Sequence, residues 1–187
     1  MVFNPRFTTL SEISEESKMN LPSLYFEAWS NEGLCSSIEE AKKVMHFDPQ
    51  YSFVGLDEES NKPFALLNTL PLSASELGTF INEGITYRHI EDLSRNQHRP
   101  THLDILLCFS IVAEANQKVV IGDQVVSISR YMITTLKELG KPVYVYTRKK
   151  SVGMHVHFGA NPEPIAVIEN SRPEDIAGDG VNIILQY

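Results

Sequence analysis

The stretch Asp104–Ala113 reads DILLCFSIVA, a nearly continuous apolar run. A strand that is buried on both faces needs such a run, because neither face can turn polar side chains to water. After it come the polar residues 114–118 and then the apolar residues 119–121. From Asp123 the period changes: Val125, Ile128, Met132, Leu136 and Leu139 fall on one helical stripe, and Gly140 stands where a helix stops. Val143–Thr147 (VYVYT) is β-branched and aromatic, which predicts the next strand. Strand, turn, helix, strand in this order predicts a parallel pair with a crossover helix. The expected class is α/β, with a mixed central β-sheet flanked by helices.

The flanking regions fit that class. Leu21, Leu24, Tyr25, Ala28 and Trp29 lie on one helical face, and Ser37 with Glu40 has the form of a capping box opening a helix through Met45. Tyr51–Leu56 and Pro63–Leu70, separated by a polar turn, predict a β-hairpin. Residues 75–93 are mixed and partly helical, and residues 96–102 form a polar loop. Two last strands are expected at Ile165–Ile168 and Val181–Leu185, around the polar segment that includes Arg172, Pro173, Glu174 and Asp175. With no internal repeat or low-complexity linker, residues 1–187 are expected to form one domain.

Composition bounds the function. The formal net charge is −8 and the only basic run is Arg148-Lys149-Lys150, so no nucleic-acid footprint is expected; an acidic surface favours a cationic acceptor such as an amine. Cys35 and Cys108 give neither a disulfide framework nor paired metal-ligand spacing. Residues 1–16 are polar and carry acids, unlike a signal or transit peptide, and no apolar run approaches the roughly 20 residues that span a bilayer. A cytoplasmic protein without membrane partners is expected. The edges of an open sheet allow a homodimer.

The residues from Val112 to Gly122 (VAEANQKVVIG) resemble the central motif of the GNAT acyl-CoA N-acyltransferases, in which a strand runs into Gln/Arg-x-x-Gly-x-Gly/Ala at the start of a long helix. Gln117, Val120 and Gly122 match that spacing, with valine in place of the first glycine. The segment Met154–Ala160 (MHVHFGA) resembles the family's stretch after its fifth strand, which often ends in Tyr-x-x-x-Gly-Phe; His155 takes the tyrosine's place before Gly159, and Ala160 stands where the family has Phe. The order of elements from residue 20 onward suits the family too.

The resemblance implies an acetyl-CoA cosubstrate and transfer of an acetyl or other acyl group to a primary amine of a small molecule or peptide. Unpaired N–H groups at a helix N-terminus, with the positive end of the helix dipole, can hold a diphosphate. On that reading Gln117, Lys118, Val119, Val120, Ile121, Gly122 and Asp123 surround the coenzyme's diphosphate. The backbone at Ile111 and Val112 is implied to pair with the pantetheine arm like an added strand. A domain of the same fold with altered catalysis, which binds coenzyme A or a protein partner, is the alternative; valine at 120 and the absent tyrosine favour it.

Acyl transfer needs a base for the amine and an acid for the departing thiolate. Glu114, at the end of the strand, and Asp104, at its start, are candidate bases, and Glu114 is preferred. His155 is the candidate acid, since imidazole ordinarily titrates near neutrality. No metal is expected: His98, His102, His155 and His157 match no ligand spacing. Cys108 alternates with Leu106 and Ser110 and reads as a small hydrophobe. Residues 76–89 and 96–102 are the candidate substrate loops.

Overall fold

The computed structural model describes residues 5–30, 35–44, 50–84, 89, 92, 93, 102–113, 118–121, 124–171 and 180–187. Seven strands form the main sheet: β1 (Pro5–Thr9), β2 (Phe53–Asp57), β3 (Pro63–Leu72), β4 (Ile105–Ala113), β7 (Val143–Arg148), β8 (Ala166–Ser171) and β9 (Gly180–Gln186). Their order is β1-β2-β3-β4-β7-β9-β8. Every neighbouring pair is antiparallel except β4 and β7, which are parallel, as the crossover pattern predicts. A separate hairpin joins β5 (Lys118–Ile121) to β6 (Gln124–Ser127).

The helices are α1 (Glu15–Trp29), α2 (Ile38–Val44), α3 (Ala74–Glu83), α4 (Ile128–Lys137) and the short α5 (Val152–His157). Their starts have local causes. Ser14 caps α1 by accepting from the Ser17 amide at 3.1 Å, with Glu15 and Glu16 beside the positive end of the dipole. Ser73 and Glu76 form a full capping box on α3. In α2 the Glu40 carboxylate reaches past Ser37 to the Ser36 amide at 2.7 Å.

Each face of the sheet has its own core. On one face Leu21, Leu24 and Tyr25 of α1 pack with Leu66, Leu70, Leu107 and Val112. On the other Ile128, Met132, Ile133 and Leu136 of α4 pack with Leu67, Leu106, Cys108 and Val145. One close approach fixes β2 against β3. A Cβ added at Gly55 would lie 2.7 Å from Phe64 Cζ. Gly55→Ala is therefore expected to cost about 1–3 kcal/mol of stability, read from urea unfolding; an unchanged midpoint would mean that the Phe64 ring turns aside.

Candidate active site

The central feature is a parting of strands. β4 pairs with β7 only at Leu106–Val143, Leu107–Tyr144 and Cys108–Val145, although both strands run on, to Ala113 and to Arg148. The cause lies in β4. Opposite β3, Asn68 pairs with Ser110 and Thr69 with Cys108, so Phe109 is an extra residue, a β-bulge. A bulge bends its strand and raises the local twist. Here it falls one residue after the last pair with β7, so β4 swings away while keeping its pairing with β3 through Ala113.

The two cores register the same bulge. Before it Leu106 and Cys108 belong to the α4 core; beyond it Ile111 and Ala113 do, while Val112 joins Leu107 in the α1 core. The strand's alternation has slipped by one residue. Cys108 and Ser110 therefore do not share a face, contrary to strict alternation. Beyond Cys108, no described strand pairs with the β7-facing edge of β4, so among the described residues the two strands part and leave a notch beside Ser110–Ala113.

The diphosphate turn expected at a helix N-terminus has a different conformation. Lys118, Val119, Val120 and Ile121 form strand β5, with Val120 opposite Val125 and Val119 opposite Val126. The helix begins only at Ile128, where Ser127 accepts from the Arg130 amide at 3.3 Å. Five β-branched residues (Val119, Val120, Ile121, Val125 and Val126) favour a hairpin over a helix start, and their separation by a short Gly-containing link is a hairpin signal. Val120 is 72% exposed, so its side chain crowds no described neighbour. Glu114, Gln117, Gly122 and Asp123 lie outside the described residues.

His155 lies on α5, whose C-cap is Phe158; at the next residue, Gly159, φ is +99° and a side chain would be strained. It is 3% exposed, and its Nδ1 is 2.6 Å from the Tyr187 hydroxyl. Burial pushes the imidazole down to about 4. It is thus neutral at pH 7, in contrast to the expectation that it titrates near neutrality. Burial first, then the nearby Cys108 thiol, pushes the Tyr187 phenol up. Cys108 itself is pushed up to about 12 by burial, so it is an inert thiol. Lys137 lies with its Nζ 5.4 Å from the centre of the Tyr187 ring. The pair sits on the α4 face, where the Tyr187 N–H donates to the Val143 carbonyl at 2.9 Å, beside the first β4–β7 pair, Leu106–Val143. Tyr187 was not singled out from sequence, because only the antiparallel pairing of β9 with β7 brings it there.

The other candidates separate. Asp104 is exposed at the closed end of the notch, 3.6 Å from Lys141 Nζ and away from Ser110–Ala113. His157 is exposed, and no group of three or more His, Cys, Asp or Glu among the described residues is arranged to hold a metal ion. No described helix is long and apolar enough to cross a membrane.

Solved structures share this architecture over nearly whole chains. The loading GNATL domain of CurA from Lyngbya majuscula matches with a TM-score of 0.63 at 14% identity, over 99% of this chain and 96% of that one. A mosquito arylalkylamine N-acetyltransferase like 5b matches with a TM-score of 0.62 at 10% identity, covering 98% and 99%. The NatC complex bound to Gag peptide and CoA matches with a TM-score of 0.56 at 13% identity, covering 98% and 99%. No protein-family model matches the chain, and no curated protein matches it in sequence. The chain has the GNAT acyltransferase fold. At these identities the likeness is one of fold.

Proposed function

We propose that this protein transfers an acyl group, acetyl in the simplest case, from acetyl-CoA to a primary amine of a small molecule or peptide. The observation that carries the reading is the parted β4–β7 pair, whose unpaired β4 edge at Ser110–Ala113 lies in the same fold as the N-terminal turn of α4. An extended pantetheine can add to such an edge by main-chain hydrogen bonds, as a peptide does in strand addition. On this reading Ile111 and Val112 hold the pantetheine. The first-turn amides of α4, with Arg130 exposed in that turn, take the diphosphate in place of the amides of residues 118–123. Lys118 and Gln117 remain candidates for its rim, with Gly122 and Asp123 in the hairpin link.

Proton transfer is assigned to the Tyr187–His155 pair. The Tyr187 hydroxyl gives its proton to the departing thiolate sulfur, and Nδ1–H of the neutral imidazole steadies the phenolate oxygen. Glu114, which follows the open end of β4, takes the proton released by the attacking amine. Glu114 then releases its proton to water and the phenolate takes one back from water, so both residues are regenerated and the cycle balances as amide plus free thiol.

Acetyl-CoA at about a hundredfold over its Kd is expected to raise Tm by about 5 °C or more, and an amine panel is expected to release free thiol. The neutral, buried His155 favours a second reading, a coenzyme A-binding domain with altered catalysis. Stabilisation without thiol release supports that reading. Absence of both effects with folded protein removes the acyl-CoA reading altogether.

A further inference from the structure

On the α1 face of the notch lies a pair of polar residues that the chemistry above does not use. Asn68 on β3 is 0% exposed and Ser110 on β4 is 5% exposed. They stand directly opposite each other across the strands, beside the bulge. Side chains in such pairs have Cβ atoms about 5 Å apart, within hydrogen-bonding reach. Yet Asn68 Oδ1, Asn68 Nδ2 and Ser110 Oγ have no hydrogen-bond partner among the described residues. The cluster on that face includes the apolar Leu66, Leu70, Leu107 and Val112.

Buried polar groups almost always find partners, so three orphaned atoms side by side are out of keeping with a core that only stabilises. Natural chains accept such a cost at functional sites. Ser110 is also the second residue past the last β4–β7 pair, so this polar spot adjoins the edge proposed to carry the acyl group.

The orphaned atoms restrict what fits. An ammonium group brings only donors and would leave Asn68 Nδ2 unsatisfied; a carboxylate brings only acceptors and would leave Oδ1 unsatisfied. An amide offers one of each and can pair with both Asn68 atoms at once, while the Ser110 hydroxyl rotates to either role. We propose that Asn68 and Ser110 recognise an amide group adjacent to the acceptor's amine, so that the acceptor is the α-amine of a peptide or of an amino-acid amide. This rests on the acyl-transfer reading for its use, but the recognition itself is a binding event.

α1 covers the pair, so it must shift for an amide to enter. Its last residue, Trp29, is the protein's single tryptophan, and its Nε1 likewise lacks a partner among the described residues. Tryptophan fluorescence therefore reports the shift of α1.

The test uses glycylglycinamide and, as a probe without an amide, ethylamine. The wild-type chain is expected to bind the first, with a change in Trp29 fluorescence, and to bind the second at least tenfold more weakly. Asn68→Leu and Ser110→Ala are each expected to weaken the peptide amide about 10- to 100-fold. Each is also expected to raise Tm by about 2–4 °C, since an unpaired buried polar group has gone. Thr69→Val is the control. It too removes an unpartnered buried hydroxyl, but one that strand alternation turns to the opposite face, so peptide binding should hold. Equal binding of the two probes, absence of peptide binding in the wild type, or unchanged binding in the Leu and Ala variants would each overturn the proposal. So would a lower Tm in those variants, because the pair would then be satisfied in the free protein by bound water. Peptide binding without turnover would leave this proposal standing and remove only the acyl-transfer reading.

Discussion

Tyr187→Phe is expected to lower kcat for acetyl transfer by roughly 10²–10⁴-fold, the usual contribution of a positioned proton donor, while KM for acetyl-CoA changes little. The substitution keeps the ring under Lys137 and removes only the hydroxyl that meets His155 Nδ1 at 2.6 Å. His155→Ala should lower kcat too, but it also empties a buried site, so its fold has to be checked by circular dichroism. His157→Ala is the matching control, because that ring is exposed two residues on. The phenol is pushed up by burial, so it stays protonated and able to donate across the ordinary pH range. A rate that falls as pH rises through neutrality is therefore not expected from His155, whose imidazole is already neutral there. Normal turnover by Tyr187→Phe would assign the proton to water and make the pair structural.

The two orphaned residues and the tyrosine pair occupy opposite faces of the sheet. Asn68 and Ser110 lie on the α1 face; His155 and Tyr187 lie on the face covered by α4. The bulged residue accounts for the first placement, since it turns Ser110 away from Cys108, and the pairing of β9 with β7 accounts for the second.

Elements with strong, uninterrupted patterns were legible in the sequence. The apolar run of β4 and the VYVYT strand emerge with nearly the expected bounds and the expected parallel pairing, while α4 keeps Ile128, Met132 and Leu136 of its stripe but starts at Ile128 and not at Asp123. β1 was missed because its five residues are only partly buried and gain their place by pairing with β2. The hairpin β5–β6 was missed for another reason. The helical stripe can be extended backward through Val125, but Val125 is 63% exposed on a strand, and β-branched propensity overrides the period there. The bulge at Phe109 left no local mark, since nothing in DILLCFSIVA distinguishes a bulged residue from its neighbours; it appears only against β3. Tyr187 and Asn68 are long-range products of the sheet order, so no motif could announce them.

Acid should weaken this fold in a window set by His155. Unfolded, the imidazole has its ordinary pKa of 6.5; folded, burial holds it at about 4. Between those values the unfolded chain binds a proton that the folded chain does not, so stability rises with pH across the window and falls as pH drops through it. The stabilisation is complete above about pH 6.5. From pH 7.5 to pH 4.5 the expected loss is about 2–3 kcal/mol for this one group. The other downward shifts on described residues belong to Glu12 and Asp57, exposed carboxylates whose effect begins only as pH falls below their ordinary values of 4.5 and 3.8. They therefore act at the acid end, and the upper part of the window reports on the histidine. Urea unfolding of the wild type and of His155→Phe at pH 7.5, 6.0 and 4.5 checks this. The phenylalanine ring fills the site without titrating, so the variant's stability should be nearly flat between pH 7.5 and 6.0 and fall less than the wild type's by pH 4.5. Equal losses in the two proteins would mean that the imidazole reaches water in the folded state.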